Sequence, residues 1–278
     1  MTGNPDHRSR WSHPLHTVYV PADAVDEATV ATWSQQALDT LDRHAGDPAG
    51  LAAAVGWPVA RVEAVWQRLR TRLATHPVDD LRVDTEDGYG HRPGEVEDTH
   101  VRRAAHAAAT WAAPPLLPES PDQPHLTGPG TLGVRTRALQ PATRARALRT
   151  IDLFVAGLAE RAGATRWTPG SVRWTLPKVA TAEEVTTAAT TCEALESDFG
   201  LPDHTLAIEL QVETPAAIID PTGVVPLPAM INAGRGRVVG LHYGTYDYAT
   251  ALGIPPAEQS AAHPVADHAK AVMQVVAA

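Results

Sequence analysis

The feature that most constrains this chain is a repeated switch in hydrophobic period. Short apolar or β-branched runs alternate with longer segments whose apolar residues recur every three or four positions, the pattern of βα units around a parallel sheet. The runs predict strands at His16–Pro21, Leu81–Asp87, Thr131–Arg137, Val172–Val179, Leu206–Glu213 and Val238–Tyr243. Several are nearly continuous in apolar residues, as in strands covered on both faces. The expected class is α/β, a TIM (β/α)8-type barrel. Six strands are visible where such a barrel has eight. Either two strands escape the pattern, or a neighbouring subunit completes the barrel, or the barrel is a shortened one.

The intervening segments carry explicit helix signals. Pro58 suits a first helical position, followed by a stripe of Val62, Val65, Trp66, Leu69 and Leu73. Leu148, Ile151, Phe154, Val155 and Leu158 form another stripe that stops at Gly163. Thr181 with Glu184 forms a capping box ahead of Val185, Ala188, Cys192, Leu195 and Phe199. Glu95 to Trp111 is Ala-rich and helical, as is Val265–Val276, and the proline-dense segment Ala113–Gly130 reads as a surface connection. Residues 24–75 read as a helical insertion after the first strand of a single barrel domain, residues 1–278.

Composition narrows the partners. The net charge is −9 with no Lys/Arg-rich block, which argues against nucleic acid or an anionic membrane. No run approaches the ~20 apolar residues of a membrane helix, and Met1 to Ser12 lacks the apolar core of a signal peptide. A single cysteine, Cys192, excludes an intrachain disulfide framework and reads as a packed core thiol. A cytoplasmic homo-oligomer acting on a small molecule is the expectation.

In barrel enzymes the reactive groups stand at the carboxyl ends of the strands. Here those ends read Asp84-Thr85-Glu86-Asp87, Arg135, Pro177-Lys178, Gln211-Val212-Glu213 and His242-Tyr243-Gly244-Thr245-Tyr246-Asp247, while the strand bodies read as apolar. Adjacent strands lie about 4.8 Å apart, so Glu213 and Asp247 can approach one hard cation. The plainer alternative is two solvated carboxylates capping the helices that follow. Arg135 can bind a substrate carboxylate or oxyanion bidentately, or pair with an acid of the second strand. Lys178 either adds positive potential or anchors its loop. Glu86 and Asp87 either hold metal-bound waters and orient Arg135 or form a structural ion pair. His91 and His242 lie near the rim with the chemistry of acid–base groups. Gly88 and Gly90 suit a tight turn, as does Gly234-Arg235-Gly236. Zinc-spaced Cys/His sets, nucleophile elbows and Walker loops are absent from the sequence.

The order of these rim motifs, continued by Tyr248 and Leu252-Gly253, resembles the HpcH/HpaI aldolase and citrate lyase β-subunit family, within the phosphoenolpyruvate/pyruvate-type barrels. The resemblance spans roughly Val83 to Gly253. It implies Mg²⁺ or Mn²⁺ on Glu213 and Asp247. It implies keto acid or acyl-CoA contacts from Arg135, Gln211 and Lys178, and a catalytic set of Arg135, Glu86, Asp87 and His91, the last answering to the aldolase branch's histidine base. The implied activity is a metal-dependent carbon–carbon lyase working through a stabilised enolate. A phosphoenolpyruvate-utilising phosphotransfer enzyme and a non-catalytic ligand-binding barrel are the alternatives.

Overall fold

The computed structural model describes residues 14–112 and 128–278. The polar N-terminal segment Met1 to Ser12 and most of the proline-dense connection, residues 113–127, lie outside the described residues. Six strands, β1 (Thr17–Pro21), β2 (Asp80–Asp84), β3 (Thr131–Arg135), β4 (Val172–Leu176), β5 (Leu206–Val212) and β6 (Val238–Tyr243), pair in parallel in chain order. Strands β2, β3 and β4 end two or three residues earlier than the sequence suggests. After β2 the Asp84 carboxylate accepts the backbone N–H of Glu86 and of Gly88, each at 3.0 Å, and turns the chain. After β4, Pro177 has no N–H for the ladder.

Helices α1 (Thr29–His44), α2 (Pro48–Val55), α3 (Val59–Glu63) and α4 (Trp66–Thr75) separate β1 from β2. They enclose a small core of their own, Leu41, Ala52, Val62 and Trp66, with Leu51, Leu69 and Leu73 against it. Pro58 precedes α3 rather than starting it, and the apolar stripe is cut at Ala64–Val65, where Val65 N–H bonds Val62 three residues back at 3.0 Å. Helices α5 (Gly94–Trp111), α6 (Arg144–Ala162) and α7 (Ala182–Asp198) follow β2, β3 and β4. The Thr181–Glu184 capping box is formed in full, and Gly163 ends α6 at φ 78°. Helices α8 (Pro215–Ile218) and α9 (Leu227–Ala233) follow β5, then α10 (Thr245–Ala251) and α11 (Pro264–Ala277) follow β6.

One face of the sheet is apolar and packs on the helices. Leu81, Val83, Leu132, Val134, Val172, Trp174, Ile208 and Leu210 join Ala104, Ala108, Ile151, Phe154, Val185 and Cys192 in the main core. Cys192 is fully buried, and burial pushes its thiol far above the usual range, as expected of a packed core residue. The opposite face corrects the reading of the strand bodies as apolar. Asp80, at the start of β2, and Arg82, Arg173 and Glu209, within their strands, are buried. They answer one another across the barrel interior, because a buried charge is tolerated only when paired. Arg82 donates to Glu209 from Nε at 3.0 Å and Nη2 at 2.7 Å, and to Asp80 from Nη1. Thr175 adds a 2.8 Å bond to Glu209, and Thr17 and Thr131 bond Asp80. Gly133, between Arg82 and Arg173 in register, has no room for a Cβ, which would lie 1.9 Å from the Arg173 carbonyl oxygen.

The sheet is an arc of a barrel. Strands β1 and β6 do not pair with each other, yet Tyr19 Oη and His242 Nδ1 meet across the interior at 3.0 Å. Strands β2 to β5 are almost wholly buried and β6 is half-buried along its length.

Candidate active site

The site is built from the loops after β2, β3, β4, β5 and β6. Asp84, the last residue of β2, is buried, and besides holding its own loop it accepts Arg135 Nε at 2.8 Å and Nη2 at 2.7 Å. Gly88 is required there, because a Cβ would stand 2.5 Å from Asp84 Oδ2. The Gly88-to-Gly90 turn therefore spends its first amide on a protein carboxylate rather than on a phosphate. Tyr19 lies beneath Arg135, with the guanidinium carbon 4.9 Å from the ring centre. One edge of Arg135 is thus locked. The remaining nitrogen, Nη1, has only long contacts, 3.5 Å to Gln211 Oε1 and 3.7 Å to Glu86 Oε2.

Glu213 follows β5 directly and is buried. Gln211 donates to its Oε1 at 2.6 Å, and the backbone N–H of Lys178 donates to its Oε2 at 2.9 Å. Gly244, at the end of β6, makes space for it: a Cβ there would come within 2.2 Å of Glu213 Cγ. Asp247 enters from the first turn of α10. Asp87 completes a triad, and one carboxylate oxygen from each of Asp87, Glu213 and Asp247 lies within 4.8 Å of the others. The Glu213–Asp247 pair is therefore brought together as the sequence suggested, and Asp87 joins it.

Lys178 stands in the middle of this group. Its Nζ is 2.5 Å from Glu86 Oε1, 2.8 Å from Asp247 Oδ2 and 3.0 Å from Asp87 Oδ2. Its backbone adopts φ 53°, the left-handed region, at a cost of order 1–3 kcal/mol for a residue with a Cβ. Both readings of Lys178 therefore hold: its backbone anchors Glu213 and its side chain supplies charge. Burial opposes the ammonium, but Asp247, Glu86 and Asp87 outweigh it and raise Lys178 above the ordinary lysine range. That is the reverse of an activated amine nucleophile. Burial pushes Glu213 up to about 7 in spite of Lys178. Burial likewise raises Glu86. Asp87 feels the same burial, yet hydrogen bonds to Lys178 and Glu86 hold it below the usual range.

The donor set suits a hard divalent cation. Mg²⁺ with metal–oxygen bonds of about 2.1 Å holds its ligand oxygens roughly 3–4 Å apart, so three carboxylates within 4.8 Å need only a small contraction. A positive group, the Lys178 ammonium, already sits among them.

Two predicted rim histidines are placed elsewhere. His91 is exposed, with Nδ1 3.4 Å from Arg137 Nη1. Arg137 is in turn tied to Gly90 O and Glu97, so His91 belongs to a surface cluster and not to the acidic group. His242 lies in the interior layer, between Tyr19 at 3.0 Å and Glu209 at 3.7 Å, and burial lowers its pKa. Sequence reasoning gave no separate role to Asp84, Tyr19 or Gly244. Asp84 was the detectable one, because Asp at a strand end followed two and four residues later by a turn is an Asx-type signal.

No helix among the described residues is long and apolar enough to cross a membrane. No curated protein matches the chain. Among solved structures, a malate synthase from Haloferax volcanii in its magnesium/glyoxylate complex is 16% identical over 72% of this chain and 51% of its own, with a TM-score of 0.50. A citrate lyase from Burkholderia xenovorans LB400 is 26% identical over 77% of this chain and 55% of its own, with a TM-score of 0.48. The chain spans about half the length of these structures, and the malate synthase likeness supports the barrel-type α/β fold. The expected aldolase and citrate lyase family remains a resemblance. The matching family model covers residues 4–278 and is described as a domain of unknown function (DUF6986), and to that family the chain belongs.

Proposed function

We propose that the protein is a divalent-metal-dependent carbon–carbon lyase that cleaves or forms a bond next to the carbonyl of a keto acid or acyl-CoA. The observation that carries this reading is the convergence of Asp87, Glu213 and Asp247 on one cation-sized position beside Arg135. Mg²⁺ or Mn²⁺ bound there supplies a Lewis acid for developing enolate charge.

The chain's own groups divide the remaining work. Asp84 and Tyr19 hold the Arg135 guanidinium in one plane, so that Nη1 faces the site and can take a substrate carboxylate or oxyanion without reorganisation. Gln211 spans Arg135 and Glu213 and fixes the spacing between the anion-binding and carboxylate sides. Glu86, raised by burial, takes the proton from the hydroxyl of the cleaved carbinol as the carbon–carbon bond breaks and its electrons pass to the carbonyl-stabilised fragment. The same proton returns in the reverse condensation.

The test is retro-aldol and acyl-CoA cleavage measured with Mg²⁺ or Mn²⁺, with EDTA, and in Glu213→Gln and Asp247→Asn. Turnover confined to the metal-loaded wild type supports the reading. Turnover that survives all three treatments contradicts it.

A further inference from the structure

Lysine is rare in this chain: the sequence holds 21 arginines and only two lysines, Lys178 and Lys270. Lys270 is on α11, paired with Asp267 three residues before it, a common surface arrangement. Lys178 is in a strained backbone conformation at the centre of the candidate site, with three carboxylates within 3.0 Å of its ammonium. A chain that meets nearly every other demand for positive charge with arginine uses at this point the one cation that is compact, singly tethered and free of a planar fork.

We infer that Lys178 is a built-in counter-cation that occupies the divalent position and swings out when a metal ion enters, so that metal binding and release of the Lys178 side chain are one event. This rests on the proposed metal site. Two of the carboxylates that hold the ammonium, Asp87 and Asp247, belong to the triad that would hold the metal. An ammonium and a dication cannot share those oxygens without close repulsion of like charge. The backbone of Lys178 need not move, because its N–H is bonded to Glu213 Oε2 while the side chain bonds other acids. The four-carbon stem alone provides the swing, and Glu86, also bonded to the ammonium and outside the triad, gives it a tether on the way out. The lysine thereby keeps the acidic site compact in the absence of metal and sets a threshold concentration for loading.

The wild-type protein carries its own control for the test. Amines are acylated under limiting reagent, with and without saturating Mn²⁺, and the Lys178 and Lys270 peptides are quantified by mass spectrometry. Lys270 should label equally in both conditions, whereas Lys178 should be protected without Mn²⁺ and label at least about fivefold faster with it. In parallel, Mn²⁺ affinity is measured by calorimetry for wild type, Lys178→Met and Lys178→Asn, the latter because asparagine tolerates positive φ. Removing the ammonium that competes for the Asp87 and Asp247 oxygens should tighten binding by about tenfold or more. If Mn²⁺ binds but Lys178 stays protected and neither variant binds more tightly, the displacement is overturned while the metal site stands. If no protein binds Mn²⁺, both readings fall.

Discussion

The barrel interior holds two charged layers whose difference separates structure from chemistry. In the lower layer Asp80 and Glu209 face Arg82 and Arg173, two acids against two bases, all on strands and buried. Burial alone would raise Glu209, yet Arg82 overrides it and brings it down to about 2. In the upper layer, among the described residues, Asp84, Glu86, Asp87, Glu213 and Asp247 face Arg135 and Lys178. Asp84 consumes one edge of Arg135, and Glu213 is left with burial dominant and a pKa of about 7. A balanced layer can be closed permanently. The unbalanced one is short of positive charge, the condition that the proposed cation site requires.

The sharpest way to break this contrast is to unbalance the lower layer. Glu209→Ala strands Arg82 and Arg173 without their shared acid, and unfolding in denaturant should show a loss of about 3–5 kcal/mol. Cation affinity of the folded fraction should be unchanged, and an equal effect on both would mean the layers are one unit. Glu213→Gln acts in the opposite sense. Its folded pKa of about 7 lies above the unfolded value near 4.3, so the folded state binds the extra proton and wild-type stability falls as pH rises between those values. The variant should lose that slope, gain on the order of 2 kcal/mol at pH 8, and lose cation affinity by more than about 100-fold, since removing even an outer-shell partner costs 10–100-fold. Wild-type affinity should climb as pH rises towards about 7, as Glu213 gives up its proton.

A milder perturbation is Gly244→Ala, whose Cβ meets Glu213 Cγ at 2.2 Å and must displace the carboxylate. Cation affinity should fall by about tenfold, the range of an outer-shell change, and circular dichroism should be unaltered. The smallest effect tests position alone. Thr181→Ala removes the formed capping box of α7 and should cost about 1 kcal/mol, with no change in cation affinity.

Most of the fold was legible because it is local. Each strand, and each of α5, α6, α7 and α11, announces itself within ten to twenty residues of sequence, as the Thr181–Glu184 box and the Gly163 stop show. The rim acids were legible for a related reason: ionisable residues at the ends of apolar runs are conspicuous, and the spacing of neighbouring strands puts Glu213 close to the first turn of α10, which carries Asp247. The lower layer was not legible, because Arg82 and Glu209 are 127 positions apart and a charge inside an apolar run looks like an interruption until the sheet curves and brings its partner to it. Lys178 was ambiguous for the same reason, with its partners Glu86 and Asp87 lying 92 and 91 residues away. His91 misled because closeness in sequence to a rim loop does not fix direction: the loop turns at Asp84 and delivers the imidazole to Arg137.

On the proposed function, Asp87, Glu213 and Asp247 clasp one divalent ion. Crystals grown with Mn²⁺ and measured near the manganese absorption edge should show a single anomalous peak within about 2.0–2.4 Å of oxygens from Glu213 and Asp247, with Lys178 moved off that position. A peak elsewhere, or a peak-free map with the Lys178 ammonium still bonded to Asp247, would rule out a divalent ion on this triad.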